Sequence, residues 1–170
     1  MTFKKKYHNW GDGKVSYIEW DKDISMPGLQ FCHATGFNAL TYKKLLEPLS
    51  DLFHIRAEDA RGHGFTETSA IPKTIFDWKI YRDDLIQSVE NFVESKGEPI
   101  VLSGHSMGGA SVMQVAAKRP DLVSGIVLVE PVLISKLSLN ILKIAKKCPI
   151  TKSIPFIKEM TSRSDSTLNR

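Results

Sequence analysis

One serine in this chain stands among glycines where a strand-like run gives way to a helix-like one. The segment is Ser103-Gly104-His105-Ser106-Met107-Gly108-Gly109, between apolar residues 100–102 and a helical pattern over 110–118. It contains Gly104-His105-Ser106-Met107-Gly108, a match to G-x-S-x-G in the strand–turn–helix setting this pattern requires. A turn this tight needs neighbours without Cβ atoms, because strand end and helix start pack closely around the serine. The turn holds the Ser106 hydroxyl clear of the sheet. The first N–H groups of the following helix point towards any negative charge that develops there. Ser106 therefore reads as a nucleophile, with a purely structural turn as the bland alternative.

The rest of the chain repeats this strand-to-helix logic. Short apolar runs at residues 29–32, 53–57, 100–103 and 125–129 alternate with helical patterns at 39–49, 75–96 and 111–119. That alternation predicts an α/β fold with a mostly parallel sheet and helices on both faces. Residues 15–20 alternate as an early antiparallel strand after the turn Gly11-Asp12-Gly13. In the 39–49 helix, Leu45, Leu46 and Leu49 are expected on one side. In the longest helix, Trp78, Tyr81, Leu85, Val89 and Phe92 recur at helical intervals, and Gly97 ends it.

Beyond Pro131 the texture changes. Leu133, Leu137, Ile141 and Ile144 make one apolar helical face, with Lys136, Lys143 and Lys147 elsewhere on the wheel. Val132 onwards carries eight Lys/Arg against two Asp/Glu, in a chain whose net charge is only +4. Those lysines are spaced among apolar residues, which suits a solvated helix face better than a nucleic-acid patch. The 170 residues suffice for one domain with a core, and no run of about 18 apolar residues is present to span a membrane. The basic start, Met1 to His8, lacks the apolar segment of a secretory signal. Cys32 and Cys148 have neither zinc nor redox spacing, so a cytoplasmic protein with free thiols is expected.

Three motifs follow one another, each after a strand: His33-Ala34-Thr35-Gly36-Phe37-Asn38, Asp59-Ala60-Arg61-Gly62-His63-Gly64, and Gly104 to Gly109. In this order and at these separations they resemble the α/β-hydrolase fold superfamily, over roughly residues 10 to 135. The resemblance implies Ser106 as nucleophile and the Met107 N–H as one oxyanion donor. Aligning His33-Ala34 on the family's His-Gly places the second donor at Thr35, the preferred reading; aligning Gly36-Phe37 places it at Phe37. His33 is expected to hold the oxyanion loop, His105 to pack under the elbow, and Asp59, Arg61 and His63 to tie down their turn. His8 and His54 read as surface or packing residues.

The departure from the family pattern is chemical. All five histidines precede Ser106, whereas the family's catalytic histidine comes after the last strand. A serine hydroxyl without an adjacent base is a weak nucleophile at neutral pH. Glu130, at the end of the 125–129 strand, is a candidate triad acid because α/β active sites form at strand carboxyl ends; capping the Pro131 turn and lining the pocket are its other readings. The expected organisation is a partial hydrolase core over 1–131, lacking C-terminal strands, with a helical cap beginning over 132–170.

The function expected from the resemblance is a serine hydrolase cleaving a small-molecule ester or related acyl bond through an acyl-enzyme. No metal, organic cofactor, nucleic acid or stable membrane insertion is implied, and the oligomeric state stays open. The rival is a non-catalytic interaction module that keeps the elbow by descent.

Overall fold

Among the described residues seven strands pair into one sheet: β1 (Lys4–Trp10), β2 (Gly13–Trp20), β3 (Gly28–Cys32), β4 (His54–Glu58), β5 (Glu67–Thr68), β6 (Ile100–His105) and β7 (Val123–Val129). The computed structural model describes residues 3–10, 13–21, 23–68 and 78–132, and every element lies within the unit Met1–Val132. The sheet order is β1-β2-β4-β3-β6-β7, with β5 paired to β2 off that path. β1 and β2 pair antiparallel, as do β2 and β4; β4, β3, β6 and β7 are mutually parallel.

Parallel neighbours need crossover connections, and these supply the helices. A short helical segment links β3 to β4: a 3-10 turn (Ala39–Tyr42), α1 (Lys43–Leu46) and a second 3-10 turn (Glu47–Asp51). α2 (Lys79–Lys96) precedes β6, and α3 (Met107–Lys118) joins β6 to β7. Ala39, Tyr42 and Leu46 pack with Leu29, Phe31, Ile55 and Ala57 on one face. Leu85, Val89 and Phe92 of α2 and Val112 and Val115 of α3 pack with Ile100, Leu102 and Ile126 on the other. Helices on both faces of a mostly parallel sheet are what the alternation of patterns led us to expect.

The order in which strands are added reverses at β3, whose two parallel neighbours, β4 and β6, lie on opposite sides of it. In open α/β sheets such a switch point, at the carboxyl ends of the strands, is where ligands bind. The His33–Phe37 loop leaves β3 there, and Ser106 leaves β6 beside it, since Cys32 registers with Gly104.

Several expectations need correction. The 39–49 segment is not one α-helix. Pro48 cannot donate an N–H and crowds the preceding turn, so the α-helical stretch is confined to Lys43–Leu46. The tighter 3-10 turns rotate the apolar stripe: Leu46 is buried, whereas Leu45 is 55% exposed and Leu49 36%. β1 was not expected, because its run of lysines disguises an alternation in which Lys6, His8 and Trp10 face inward. Of the two readings of His54, surface or packing, the structure gives packing: it is buried beside Glu19. α3 starts at Met107, four residues earlier than its pattern suggested. Gly97 does end α2, in the left-handed region at φ 71°. The apolar face of Leu133, Leu137, Ile141 and Ile144, Cys148, the Gly11-Asp12 turn residues and helix positions 75–77 lie outside the described residues. Among the described residues no strand covers the outer edge of β7, where Val127 is 46% exposed and Val129 40%.

Two core features carry stability predictions. Gln30 is buried in β3, and neither its amide nitrogen nor its oxygen has a partner among the described residues. Leaving a buried polar group unsatisfied costs about 1–3 kcal/mol, so Gln30→Met, nearly isosteric, should stabilise by about that amount. Urea unfolding of the two proteins measures it, and an unchanged or lower midpoint would refute it.

The second feature lies between β1, β2 and β4. The Glu19 carboxylate is buried against Lys6, His54 (3.0 Å) and Arg56 (2.7 Å). Burial alone would raise its pKa, but the hydrogen bonds from these three partners hold it well below the usual carboxylate range. His8 stacks on Tyr17 at a 4.2 Å centroid distance; burial, then the Arg56 charge, lowers its pKa to about 4. A histidine with a depressed folded pKa stabilises the native state above its unfolded value, about 6.5, and that stability drains away as pH falls towards 4. The stability difference between wild type and His8→Phe should therefore shift in favour of the variant between pH 6.5 and 4. Melting curves across that window test this; parallel curves would contradict it.

Candidate active site

Ser106 is the one residue between the last of β6 and the first of α3, with φ 52° and ψ −111°. A non-glycine residue in such a conformation costs of order 1–3 kcal/mol and persists only where its surroundings hold it. Here three backbone hydrogen bonds do so. The Ser106 N–H donates to the Val129 carbonyl (3.0 Å), and its own carbonyl accepts from Ala110 (3.0 Å) and Val132 (3.2 Å). The flanking glycines have a steric reason. A Cβ on Gly104 would stand 2.5 Å from the Gly108 carbonyl carbon, and one on Gly108 would overlap the Cys32 carbonyl. The helix start thus lies directly against both β6 and the end of β3.

The Ser106 side chain does not cap α3, and no described side chain hydrogen-bonds its hydroxyl. The first N–H groups of a helix have no intrahelical partner, and the Met107 N–H has none among the described residues. Ser106 itself is partly exposed.

The second wall is the loop after β3. Ala34 to Phe37 form a β-turn closed by Phe37 N–H donating to the Ala34 carbonyl at 3.1 Å, with Gly36 at φ 78° in its third position, as a type II turn demands. That bond bears on the two oxyanion alternatives. The Phe37 amide is committed within the turn, whereas the Thr35 N–H, on an exposed residue, has no partner among the described residues.

Buried groups brace this loop from behind. The Ala60 N–H donates to His33 Nε2 (2.9 Å), which puts the ring proton on Nδ1, 2.8 Å from the Ala34 carbonyl that accepts it. Only a neutral ring can do both, and burial lowers the His33 pKa accordingly. Asp59 Oδ1 accepts from the Ala39 N–H (2.8 Å) and Oδ2 from the Phe65 N–H (2.9 Å). Arg61 grips Asp84 of α2 through two bonds of 2.7 and 2.9 Å, and His63 Nδ1 lies 2.9 Å from the Arg61 carbonyl. These residues tie down loop and turn as expected. Tyr42, which no motif singles out, also belongs here: its hydroxyl accepts from the Ala34 N–H at 3.1 Å. Its only sequence signal was an aromatic ring in the helical segment after the loop.

Glu130 follows β7 directly, with φ 41°, one residue beyond the carbonyl that receives the Ser106 N–H. It is exposed and has no hydrogen bond among the described residues; no described imidazole bonds to it or to the Ser106 hydroxyl. Beneath the elbow lies a cavity of about 30 Å³ bordered by Cys32, Glu58, Met107 and Ser111. That holds about one water and no acyl chain. Burial, with Glu58 nearby, pushes the Cys32 thiol up, and burial with Asp84 nearby also raises the Glu58 carboxyl. Among the described residues no group of three His, Cys, Asp or Glu could hold a metal ion, and no helix is long and apolar enough to cross a membrane.

The family model described as serine aminopeptidase, S33, matches residues 29–164, which include both walls of this site. The chain belongs to the S33 serine aminopeptidase family, within the α/β-hydrolase superfamily. This S33-family chain is 36% identical to monoglyceride lipase of Mus musculus over 128 residues, 73% of the chain and 42% of the lipase. It is 32% identical to 2-(acetamidomethylene)succinate hydrolase of Mesorhizobium japonicum over 106 residues, 62% of the chain and 36% of that enzyme. A CIB-like hydrolase from Thermoplasma acidophilum shares the fold, with TM-score 0.69 at 21% identity over 88% of this chain and 71% of that one. The chain spans less than half the length of the curated relatives it matches.

Proposed function

We propose that this S33-family chain provides the nucleophile and oxyanion hole of a serine hydrolase that cleaves a carboxylic ester or related acyl bond. The observation that carries the reading is Ser106 itself: a strained, partly exposed serine held at a strand–helix junction, its hydroxyl left out of helix capping. The lipase and hydrolase relatives support the substrate class. Ser106 Oγ attacks the carbonyl carbon while its proton passes to a general base. The carbonyl oxygen becomes an oxyanion that accepts from the Met107 and Thr35 N–H groups. The tetrahedral intermediate expels the alcohol, which takes the proton back, and water hydrolyses the acyl-enzyme by the reverse use of the same base. Thr35 is preferred to Phe37 because the Phe37 amide is spent on its turn. Glu130 is the candidate acid, from its place at the end of β7.

Among the described residues no imidazole bonds to the Ser106 hydroxyl, so none of them supplies the general base. A diffusible base should therefore stand in for it. Incubating the chain with a fluorophosphonate and excess imidazole should place the adduct on Ser106, faster than without imidazole, as peptide mass mapping reads. A folded chain that gains no adduct at Ser106 under these conditions favours the rival, a non-catalytic module.

A further inference from the structure

Between the two walls of the proposed oxyanion hole runs a chain of hydrogen bonds that the reaction does not use directly. The Ala34 N–H, one residue before Thr35, donates to the Tyr42 hydroxyl at 3.1 Å. The same hydroxyl lies 2.7 Å from Nδ1 of His105, the residue immediately before Ser106. A phenol has one proton; with its oxygen accepting from Ala34, that proton is free to go to His105 Nδ1. The bonds then run in one direction, from loop amide to phenol to imidazole, and fix His105 as the Nε2–H tautomer. The Tyr42 ring is buried, 9% exposed, with its centroid 4.6 Å from that of Phe31 and 5.9 Å from that of His105. Among the described residues no hydrogen bond joins the Ala34–Phe37 turn directly to the elbow, although the Phe37 ring centroid stands 6.5 Å from that of His105.

We propose that Tyr42 is a positioning residue that sets the spacing between the two oxyanion donors, Thr35 on the loop and Met107 on the elbow. This rests on the reading of Ser106 as nucleophile. The requirement for such a strut is geometric. Two N–H groups from separate segments stabilise one oxygen only if both stand about 2.7–3.1 Å from it, and losing one donor costs about 10²–10³ in rate. A loop that drifts by part of an ångström weakens a donor without removing it. Tyr42 is buried behind the loop and bonds to Ala34 and His105, not to Ser106, so its expected effect is on the placement of the donors in the transition state and not on ground-state binding.

The test is saturation kinetics of fluorophosphonate capture at Ser106, with imidazole present, in wild type, Tyr42→Phe, His105→Phe and His105→Asn. Tyr42→Phe should lower the limiting rate about 10–100-fold, below the full loss of a donor, while half-saturation stays within about twofold. His105→Phe should do the same, and the double variant should lose no more than either single, because both break one strut. His105→Asn, whose amide oxygen can accept the Tyr42 proton, should recover most of the rate. If Tyr42→Phe does not fold, the two His105 variants decide alone. An unchanged limiting rate, a loss confined to half-saturation, or additive losses overturn the strut while leaving Ser106 as nucleophile. Absence of wild-type capture overturns the functional reading and the strut together.

Discussion

Ser106→Ala should abolish fluorophosphonate capture completely, with no adduct on any other serine and an unchanged melting temperature. Completeness follows from the local chemistry. Ser111 is buried and bonded to the Met107 carbonyl, and Ser103 is buried in β6, so neither hydroxyl competes. The melting temperature should hold because the Ser106 hydroxyl supports nothing: it caps no helix and binds no described side chain, while backbone bonds alone maintain the elbow. Alanine still bears the cost of φ 52°, as serine does, so the strain cancels between the two proteins. Residual adduct at another residue, detected by peptide mapping, would show that the elbow is not the reactive centre. A large drop in melting temperature would show that the hydroxyl is structural.

Asp59→Ala should be the most destabilising single change in the site, by about 3–6 kcal/mol. Its carboxylate is buried and receives the Ala39 and Phe65 N–H groups, one from each of two segments. A hydrogen bond to a charged group contributes about 1.5–3 kcal/mol, and both are lost while their donors stay buried. The change also frees Ala39, the start of the helical segment that carries Tyr42, from the Asp59 turn. Capture at Ser106 should therefore slow even below the unfolding transition. Chemical denaturation and labelling rate measure the two effects, and a loss under about 1 kcal/mol would mean water replaces the carboxylate at both amides.

Much of the fold was open to a reader of the sequence, for a physical reason. Residues 29–32, 100–103 and 125–129 are strands buried within a parallel sheet, and such strands write themselves as unbroken apolar runs. The amphipathic α2 and its glycine stop are equally local signals. β1 escaped notice because an edge strand exposes one side, and there lysines outnumber apolar residues. The 39–49 segment misled because its leucines obey a helical period that Pro48 does not permit the backbone to follow.

The site divides along the same line. A tight turn leaves steric marks on its own few residues, so the Gly104–Gly109 elbow and the Thr35 loop were visible as glycine-bearing motifs. The resemblance already preferred Thr35 to Phe37; what the sequence did not show is that the Ala34–Phe37 turn consumes the Phe37 amide. Nor could motif reading find Tyr42 or rank His105 beside it. They are 63 positions apart, and only the pairing of β3 with β6 brings the loop and the elbow together. Local sterics and periodicity thus specify the pieces of this protein: a parallel sheet, a serine on a sharp bend, a loop beside it. The hydrogen bonds that hold those pieces at a working distance are long-range, and they exist only once the strands are in register.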